Sequence, residues 1–540
     1  MVAEGQAERQ PNLKGVRSGL VEAMMRPAFY PEPASGVEVK QTHMSYVFIA
    51  GEYVYKVKKP VRFNFADCST LEMRYELCRE EVRLNRRLAS EVYLGVVPII
   101  RDGRRFLLGD ESKSFDPKAQ EYAVKMRRLP EDRMFDRLVR TGEVDSALID
   151  ELAKRLASFH RGASTAASWR CGSATAVRRL VLGNLDESER FLGYTLTDRQ
   201  FKAMDDYLKG FIGSHRELLN DRVHQGHVRE GHGDLRCEHV CMTNEIEIFD
   251  CLEFSESLRY ADVASDIAFL AMDLDSLGAS RLADELLRAY ADETADEKFP
   301  TLINFYKCHR ACVRGKVEGL KSLEEEVPSR ERERARESAR AHFCLAFSYA
   351  SRGRPALVVV CGLAGTGKST VSRMLQYRSG FEMLNSDRIR KRIAGVPEIF
   401  HGHTPYGAGI YTPAFDRLTY HALFVEAGGL LRDGRGVIID ATFKRPDDRR
   451  AALAIGFQVG APVLFVECRT DQLEALRRLR ERTRAGRGPS DATEEVYLCQ
   501  RKEFVPIKEL SSRQHLVADT TKGTKTALNL IEKSLTNLFD

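Results

Sequence analysis

The sequence has little that would tie it to a membrane or to an oxidising compartment. No uncharged apolar run approaches the roughly 18 residues of a membrane helix, and the stretch from Met1 to Lys14 is polar, unlike the core of a signal peptide. The 12 cysteines include no C-x-x-C pair, which argues for reduced thiols rather than a disulfide framework. Charge of one sign is scarce as well. The 83 Lys and Arg residues are nearly balanced by 78 Asp and Glu, a net charge of +5, too small alone to demand a nucleic-acid partner. Internal repeats and low-complexity tracts are missing. These absences lead to the expectation of a soluble, cytoplasmic protein with no membrane partner.

What is present is enough chain for several folding units, since 540 residues exceed one ordinary domain. Residues 1–35 read as a lead-in. From Val37 onward the pattern alternates like strands: Val47 to Val57 reads as a hairpin turning at Gly51-Glu52, Glu72 to Leu88 as an amphipathic helix, and Tyr122 to Met126 as another strand. Residues 146–230 are helical in spacing, and two short strands follow, around Val240 and from Ile246 to Phe249. Glu324 to Arg340 is a charge-dense run of mixed sign, expected to be a solvated helix joining two domains, and Ser351 to Pro355 breaks it. Beyond that point apolar strands and helices alternate (Ala356–Cys361, Lys368–Tyr377, Val437–Asp440, Val463–Cys468), the signature of a parallel α/β sheet. The expected division is therefore 1–35, 36–323, a charged helical linker at 324–354, and 355–540.

The most specific motif is Gly362-Leu363-Ala364-Gly365-Thr366-Gly367-Lys368-Ser369, which fits G-x-x-x-x-G-K-[ST] between an apolar strand and a helix. Glycines let backbone N–H groups close around phosphates, and the helix N-terminus favours their charge. Lys368 has the reach for β- and γ-phosphates, and the Ser369 hydroxyl suits magnesium. Gly362, Gly365, Thr366, Gly367, Lys368, Ser369 and Thr370 are thus the expected ATP-binding residues. Asn385-Ser386-Asp387-Arg388-Ile389-Arg390 follows the next strand. Asp387 is placed to take a proton from an attacking hydroxyl, and Arg390, one turn later, to hold an acidic acceptor. The plainer reading is a helix-capping Asp with a solvated Arg. Val437-Ile438-Ile439-Asp440 ends as a Walker B strand does, with Asp440 near magnesium. Leu476 to Gly488 carries six arginines, suited to a lid that neutralises transition-state charge, or simply to a solvated helix face.

These features resemble the P-loop kinases of small molecules and polynucleotides, a group that includes 5′-hydroxyl polynucleotide kinases, zeta toxins and chloramphenicol phosphotransferases. The resemblance runs from about Ala356 to Ala518. It implies Asp387 as general base, Arg390 as an acceptor contact, and Arg482, then Arg478, as the lid arginine. The segment from His401 to Tyr411 carries no acceptor signature.

In the first half, His232-Gly233-Asp234-Leu235-Arg236-Cys237-Glu238-His239 resembles the H-G-D-x-x-x-x-N catalytic loop of aminoglycoside phosphotransferases and choline-kinase-like enzymes. That resemblance, covering about Gly36 to Asp296, implies a bilobal kinase-like fold with Asp234 as base. It implies magnesium at Asp250 and at the position of His239, a phosphate-holding Lys56 (with Lys58 the alternative) anchored by Glu81, and an adenine-binding hinge from Tyr122 to Leu129 that includes Met126. Asp262 and Asp266 fall in the helix that buttresses the loop. Two features depart from the family. His239 stands where Asn is usual, and Gln41 to Tyr46, where the nucleotide-covering loop belongs, has no glycine. The histidines and cysteines between His224 and Cys241 include no C-x-x-C pair, and the catalytic-loop resemblance already uses His232 to His239.

The expected function is an ATP- and magnesium-dependent phosphotransferase with two potential sites. The first expected acceptor is a hydroxyl on a small polar metabolite or drug-like molecule, and a nucleic-acid 5′-hydroxyl is the second. The alternative is a nucleotide-gated regulatory protein whose first half is a pseudokinase.

Overall fold

The computed structural model describes residues 14–521, 530, 531 and 534, apart from 64–65, 104, 110–114, 244, 326, 352–354, 380, 398–406 and 486–491. Two compact units share the chain, and neither is continuous: one takes residues 1–180 and 212–307, the other 181–211 and 308–540.

The first unit begins with strands β1 (Val37–Gln41), β2 (Ser45–Ala50) and β3 (Tyr53–Lys58), then a small ribbon of β4 (Arg62–Phe63) and β5 (Ala66–Asp67). β6 (Tyr93–Asp102), β7 (Arg105–Leu108) and β8 (Ala119–Arg127) complete an antiparallel six-stranded sheet in the order β1-β2-β3-β8-β6-β7. The β2–β3 hairpin turns at Gly51-Glu52, where Gly51 has φ +61° and a Cβ would lie 2.7 Å from the Pro33 carbonyl. Alternation along the strands gives the sheet two apolar faces. Phe48, Tyr55, Val57 and Ile99 pack with Met24, Phe29 and Tyr30 on one. Tyr93, Tyr122 and Val124 meet Tyr75, Cys78 and Val82 of the helix Leu71–Asn85 on the other. That helix starts where the Thr70 side chain accepts from the Met73 N–H.

The rest of this unit is mostly helical, with short strands β9 (Val228–Glu230), β10 (Val240–Met242), β11 (Ile246–Ile248) and β12 (Tyr260–Asp262) between helices. β10 pairs with β11 and β9 with β12, both antiparallel. The buried helix Val263–Ser276 follows, capped by the Asp262 side chain.

In the second unit, β13 (Leu357–Cys361), β14 (Glu382–Asn385), β15 (Val437–Asp440), β16 (Val463–Arg469) and β17 (His515–Asp519) form an all-parallel sheet, ordered β14-β15-β13-β16-β17. The near-continuous apolar strands follow from burial on both faces. Leu357, Val359 and Ile439 face one helical layer, and Val358, Val360 and Ile438 face the other. The fold is thus an α+β half with an antiparallel sheet joined to an α/β P-loop domain. The charge-dense run forms the helix Ser329–Ala350. It is not solvated all round: Ala335, Ala339, Phe343 and Phe347 recur every four residues and are buried, a stripe that the surrounding Arg and Glu conceal in the sequence.

Candidate functional site

The phosphate loop sits between β13 and the helix Lys368–Ser379. Gly362 and Gly365 have φ of +128° and +76°, and Cβ atoms there would lie 2.5 Å from the Cys468 carbonyl and 2.7 Å from that of Ala475. Only glycine satisfies both the backbone angle and the close approach. Lys368 Nζ donates to the Leu363 carbonyl at 2.8 Å, as does the Thr366 hydroxyl. Burial pushes the Lys368 pKa down, and Asp440 acts against that shift. Ser369 and Thr370 are exposed in the first helical turn.

Asp440, at the end of β15, is a buried carboxylate. Burial raises its pKa, while Lys368, the Ser369 hydroxyl and Asn385 counter the rise. Asn385 Nδ2 donates to Asp440 Oδ2 at 2.8 Å, and Asn385 Oδ1 accepts from the Asp387 and Arg388 N–H groups. Asn385, not Asp387, therefore caps the helix Ser386–Ile393, which leaves the Asp387 carboxylate to other work. Arg390 is buried rather than solvated. Its Nη1 donates to Asp416 Oδ1 at 2.7 Å and to the Ile410 carbonyl at 3.0 Å, and its Nε lies 4.0 Å from Asp387 Oδ1. The guanidinium rests 5.0 Å from the Tyr411 ring centre.

One cavity of about 980 Å³ is lined by Lys368, Ser369, Asp387, Arg390, Asp440 and Arg482 together. Arg482 also donates to the Ala492 carbonyl at 2.7 Å. Arg478 is held differently. It contacts Glu474 at 2.7 Å and both Thr520 oxygens, and the Thr520 hydroxyl donates to the Thr366 carbonyl at 2.7 Å. Arg478 thus braces the phosphate loop through the end of β17. Residues 486–488 of the arginine-rich segment and 401–406 of the His401–Tyr411 segment lie outside the described residues. The sequence reading passed over Asn385, Asp416, Thr520 and Gln500. Each meets the site through contacts that packing alone creates, although Asn before Ser-Asp at a strand end does carry a capping signal.

The first unit gathers a second group. Lys56 Nζ lies 2.8 Å from Glu81 Oε1 and 2.6 Å from Asp250 Oδ1, while the fully buried Lys58 contacts Glu81 Oε2 at 2.7 Å and also pairs with Glu253. Glu81 therefore serves both lysines, and only Lys56 also reaches Asp250. Burial opposes ionisation of Asp250, yet Lys56 and then His239 more than offset it, so its pKa falls far below the usual range. Asp250 has φ +62°, unusual for a residue with a side chain, and its N–H donates to Tyr93 Oη at 3.2 Å. His239 Nδ1 donates to the Asp234 carbonyl at 2.8 Å, and its Nε2 lies 3.1 Å from Arg236 Nη2 and 3.5 Å from Asp250 Oδ2. The Asp234 carboxylate is taken up by Arg236, with Nε 3.2 Å from each oxygen and Nη2 3.0 Å from Oδ2; Arg236 also pairs with Glu238. Asp266 accepts from the His232 and Gly233 N–H groups at 2.6 and 3.0 Å and so fixes the loop. Met126 is buried on β8 among Tyr93, Tyr122 and Val124. Among the described residues no group of three or more His, Cys, Asp or Glu is arranged to hold a metal ion, and no helix is long and apolar enough to cross a membrane.

Comparison with known proteins places these sites in context. A family model described as an AAA domain matches residues 357–507. An uncharacterized protein of Mycobacterium tuberculosis, Rv2004c, is 31% identical over 466 residues, covering 85% of this chain and 88% of its own length. Among solved structures, a choline/ethanolamine kinase family protein from Mesorhizobium loti aligns at 14% identity with a TM-score of 0.37, over 62% of this chain and 97% of its own. A gluconokinase from Sinorhizobium meliloti aligns at 17% identity with a TM-score of 0.26, over 34% of this chain and 94% of its own.

Proposed function

The chain belongs to the same family as its mycobacterial relative, and we propose that its P-loop unit transfers the γ-phosphate of ATP to a hydroxyl group on a small polar molecule. The observation that carries this reading is the shared cavity. The glycine loop and Lys368 meet Asp440, Asp387 and Arg390 around a single space of about 980 Å³, large enough for a nucleotide tail and an acceptor.

The residues suit magnesium-bound ATP. The donor set at Asp440 and Ser369 is a buried carboxylate beside a hydroxyl, the hard-oxygen chemistry magnesium takes. Those two would hold the ion, which supplies charge neutralisation on the phosphates. Lys368 and the loop amides bind the phosphates, and Thr366, Thr520 and Arg478 keep the loop in shape. Asp387 accepts the proton of the acceptor hydroxyl. Arg390, fixed by Asp416, orients the acceptor beside it, and Arg482 covers the transferring group. In this reading residues 355–540 form the kinase domain and residues 36–323 a kinase-like domain preceding a charged helical connection.

Asp387→Asn keeps the shape of the side chain and removes its basicity. The expected result is a loss of about 100-fold or more in kcat, the usual worth of a general base, with ATP affinity unchanged. Activity that survives this change rules out Asp387 as the base.

A second reading applies to the first unit. Arg236 engages both oxygens of Asp234, which favours a regulatory, pseudokinase-like role there over a second active kinase. Lys56, Glu81, Asp250 and His239 would then bind nucleotide without turning it over.

A further inference from the structure

One side chain in the P-loop unit meets the phosphate loop from a distant helix. The helix Glu494–Glu503 packs onto the loop through Tyr497, which is buried against Ala364, Ala475 and Leu479. Gln500 stands three residues further on, one turn along the same face. Its Oε1 accepts the backbone N–H of Ala364 at 2.9 Å. A backbone N–H only donates, so the amide oxygen must face the loop. The Gln500 amide nitrogen, with two N–H donors, is thereby turned away from it.

One peptide of the loop is held by both Gln500 and Lys368. Leu363 contributes the carbonyl and Ala364 the N–H of one planar unit. The carbonyl takes the Lys368 ammonium at 2.8 Å and the N–H takes Gln500 at 2.9 Å. Lysine at this position of the motif reaches the β- and γ-phosphates. The C=O and N–H of a trans peptide point to opposite sides, so Lys368 and Gln500 hold this unit of the loop from either side, and both line the same cavity. Its amide nitrogen donates to no described residue.

We infer that Gln500 reads the γ-phosphate: its side-chain amide donates to the terminal phosphoryl group while its carbonyl holds the loop, so that the site prefers a nucleoside triphosphate to a diphosphate. This rests on the reading of the P-loop unit as a nucleotide site. The sequence motif did not signal it, because 136 residues separate the two partners.

The test is equilibrium binding of ATP and of ADP, each with magnesium, to the full chain by calorimetry. It compares the wild type with Gln500→Glu and Gln500→Ala. Gln500→Glu keeps an oxygen to accept from Ala364 but carries no donor. The expected result is ATP weakened about tenfold or more, the usual worth of a hydrogen bond to a charged group, with ADP affinity within about twofold of the wild type. Retained ADP binding also shows that the loop is folded. Gln500→Ala should lose the ATP preference too and weaken ADP modestly through the freed loop. Equal losses for ATP and ADP in Gln500→Glu would reduce Gln500 to a brace for the loop and overturn the inference, as would no change for either. A wild type that binds neither nucleotide would overturn the nucleotide-site reading itself, and this inference with it.

Discussion

A titratable side chain buried without a partner records what its surroundings refuse. His309, on the helix Phe299–Lys321, is 3% exposed and its Nδ1 has no hydrogen-bond partner among the described residues. Burial, aided by Arg310 and Lys316, pushes its pKa down to about 3 from an ordinary value of 6.5. Between those limits the unfolded chain binds the proton and the folded chain does not, so stability falls as pH falls. Between pH 7 and pH 5 the wild type should lose about 2 kcal/mol more than His309→Leu, measured by urea unfolding. Equal losses would mean that His309 can take the proton in the folded state. At this scale the sequence was legible where chemistry is local. Gly362 to Ser369 announce a phosphate loop because eight consecutive residues carry the whole requirement. Asp387 and Arg390 could be singled out because one helical turn puts them on one face. Asp416, which fixes Arg390 across 26 residues, and Gln500 could not, because their contacts arise only from packing.

Elements were more legible than contacts, for a physical reason. A strand buried on both faces must be apolar throughout, so β13, β15 and β16 stand out as runs of Val, Ile and Leu. The helix Ser329–Ala350 was harder to read: its buried face consists largely of alanine and two phenylalanines inside a run dominated by Arg and Glu. Glycine serves a related purpose in the helix Phe299–Lys321. A Cβ at Gly315 would lie 2.8 Å from the Phe343 ring, and one at Gly319 would lie 2.8 Å from the ring of Phe191. The two glycines are one turn apart and admit two aromatic side chains against the helix backbone. Gly315→Ala should therefore destabilise the second unit, even though alanine favours helix, because overpacking costs about 1–3 kcal/mol against a propensity gain of about 1 kcal/mol. A lowered urea midpoint checks this. An unchanged or raised midpoint would show that Phe343 moves aside at no cost.

For the molecule as a whole, the question is which unit does chemistry. Both place acidic and basic groups together, but they differ in what is available. In the P-loop unit Asn385 takes the capping duty, leaving Asp387 beside the cavity, whereas in the first unit Arg236 already occupies the carboxylate of Asp234. The family relationship spans most of the chain, so the two halves occur together in the mycobacterial relative as well. The most direct test is transfer of label from γ-labelled ATP to a mixed panel of sugars, aminoglycosides, nucleosides and 5′-hydroxyl oligonucleotides. Wild type, Lys368→Ala and Asp234→Ala should be run side by side. The P-loop unit as the kinase predicts a labelled acceptor that disappears with Lys368→Ala and persists with Asp234→Ala. Loss of label with Asp234→Ala alone, or ATP binding with no labelled acceptor across the panel, would contradict it.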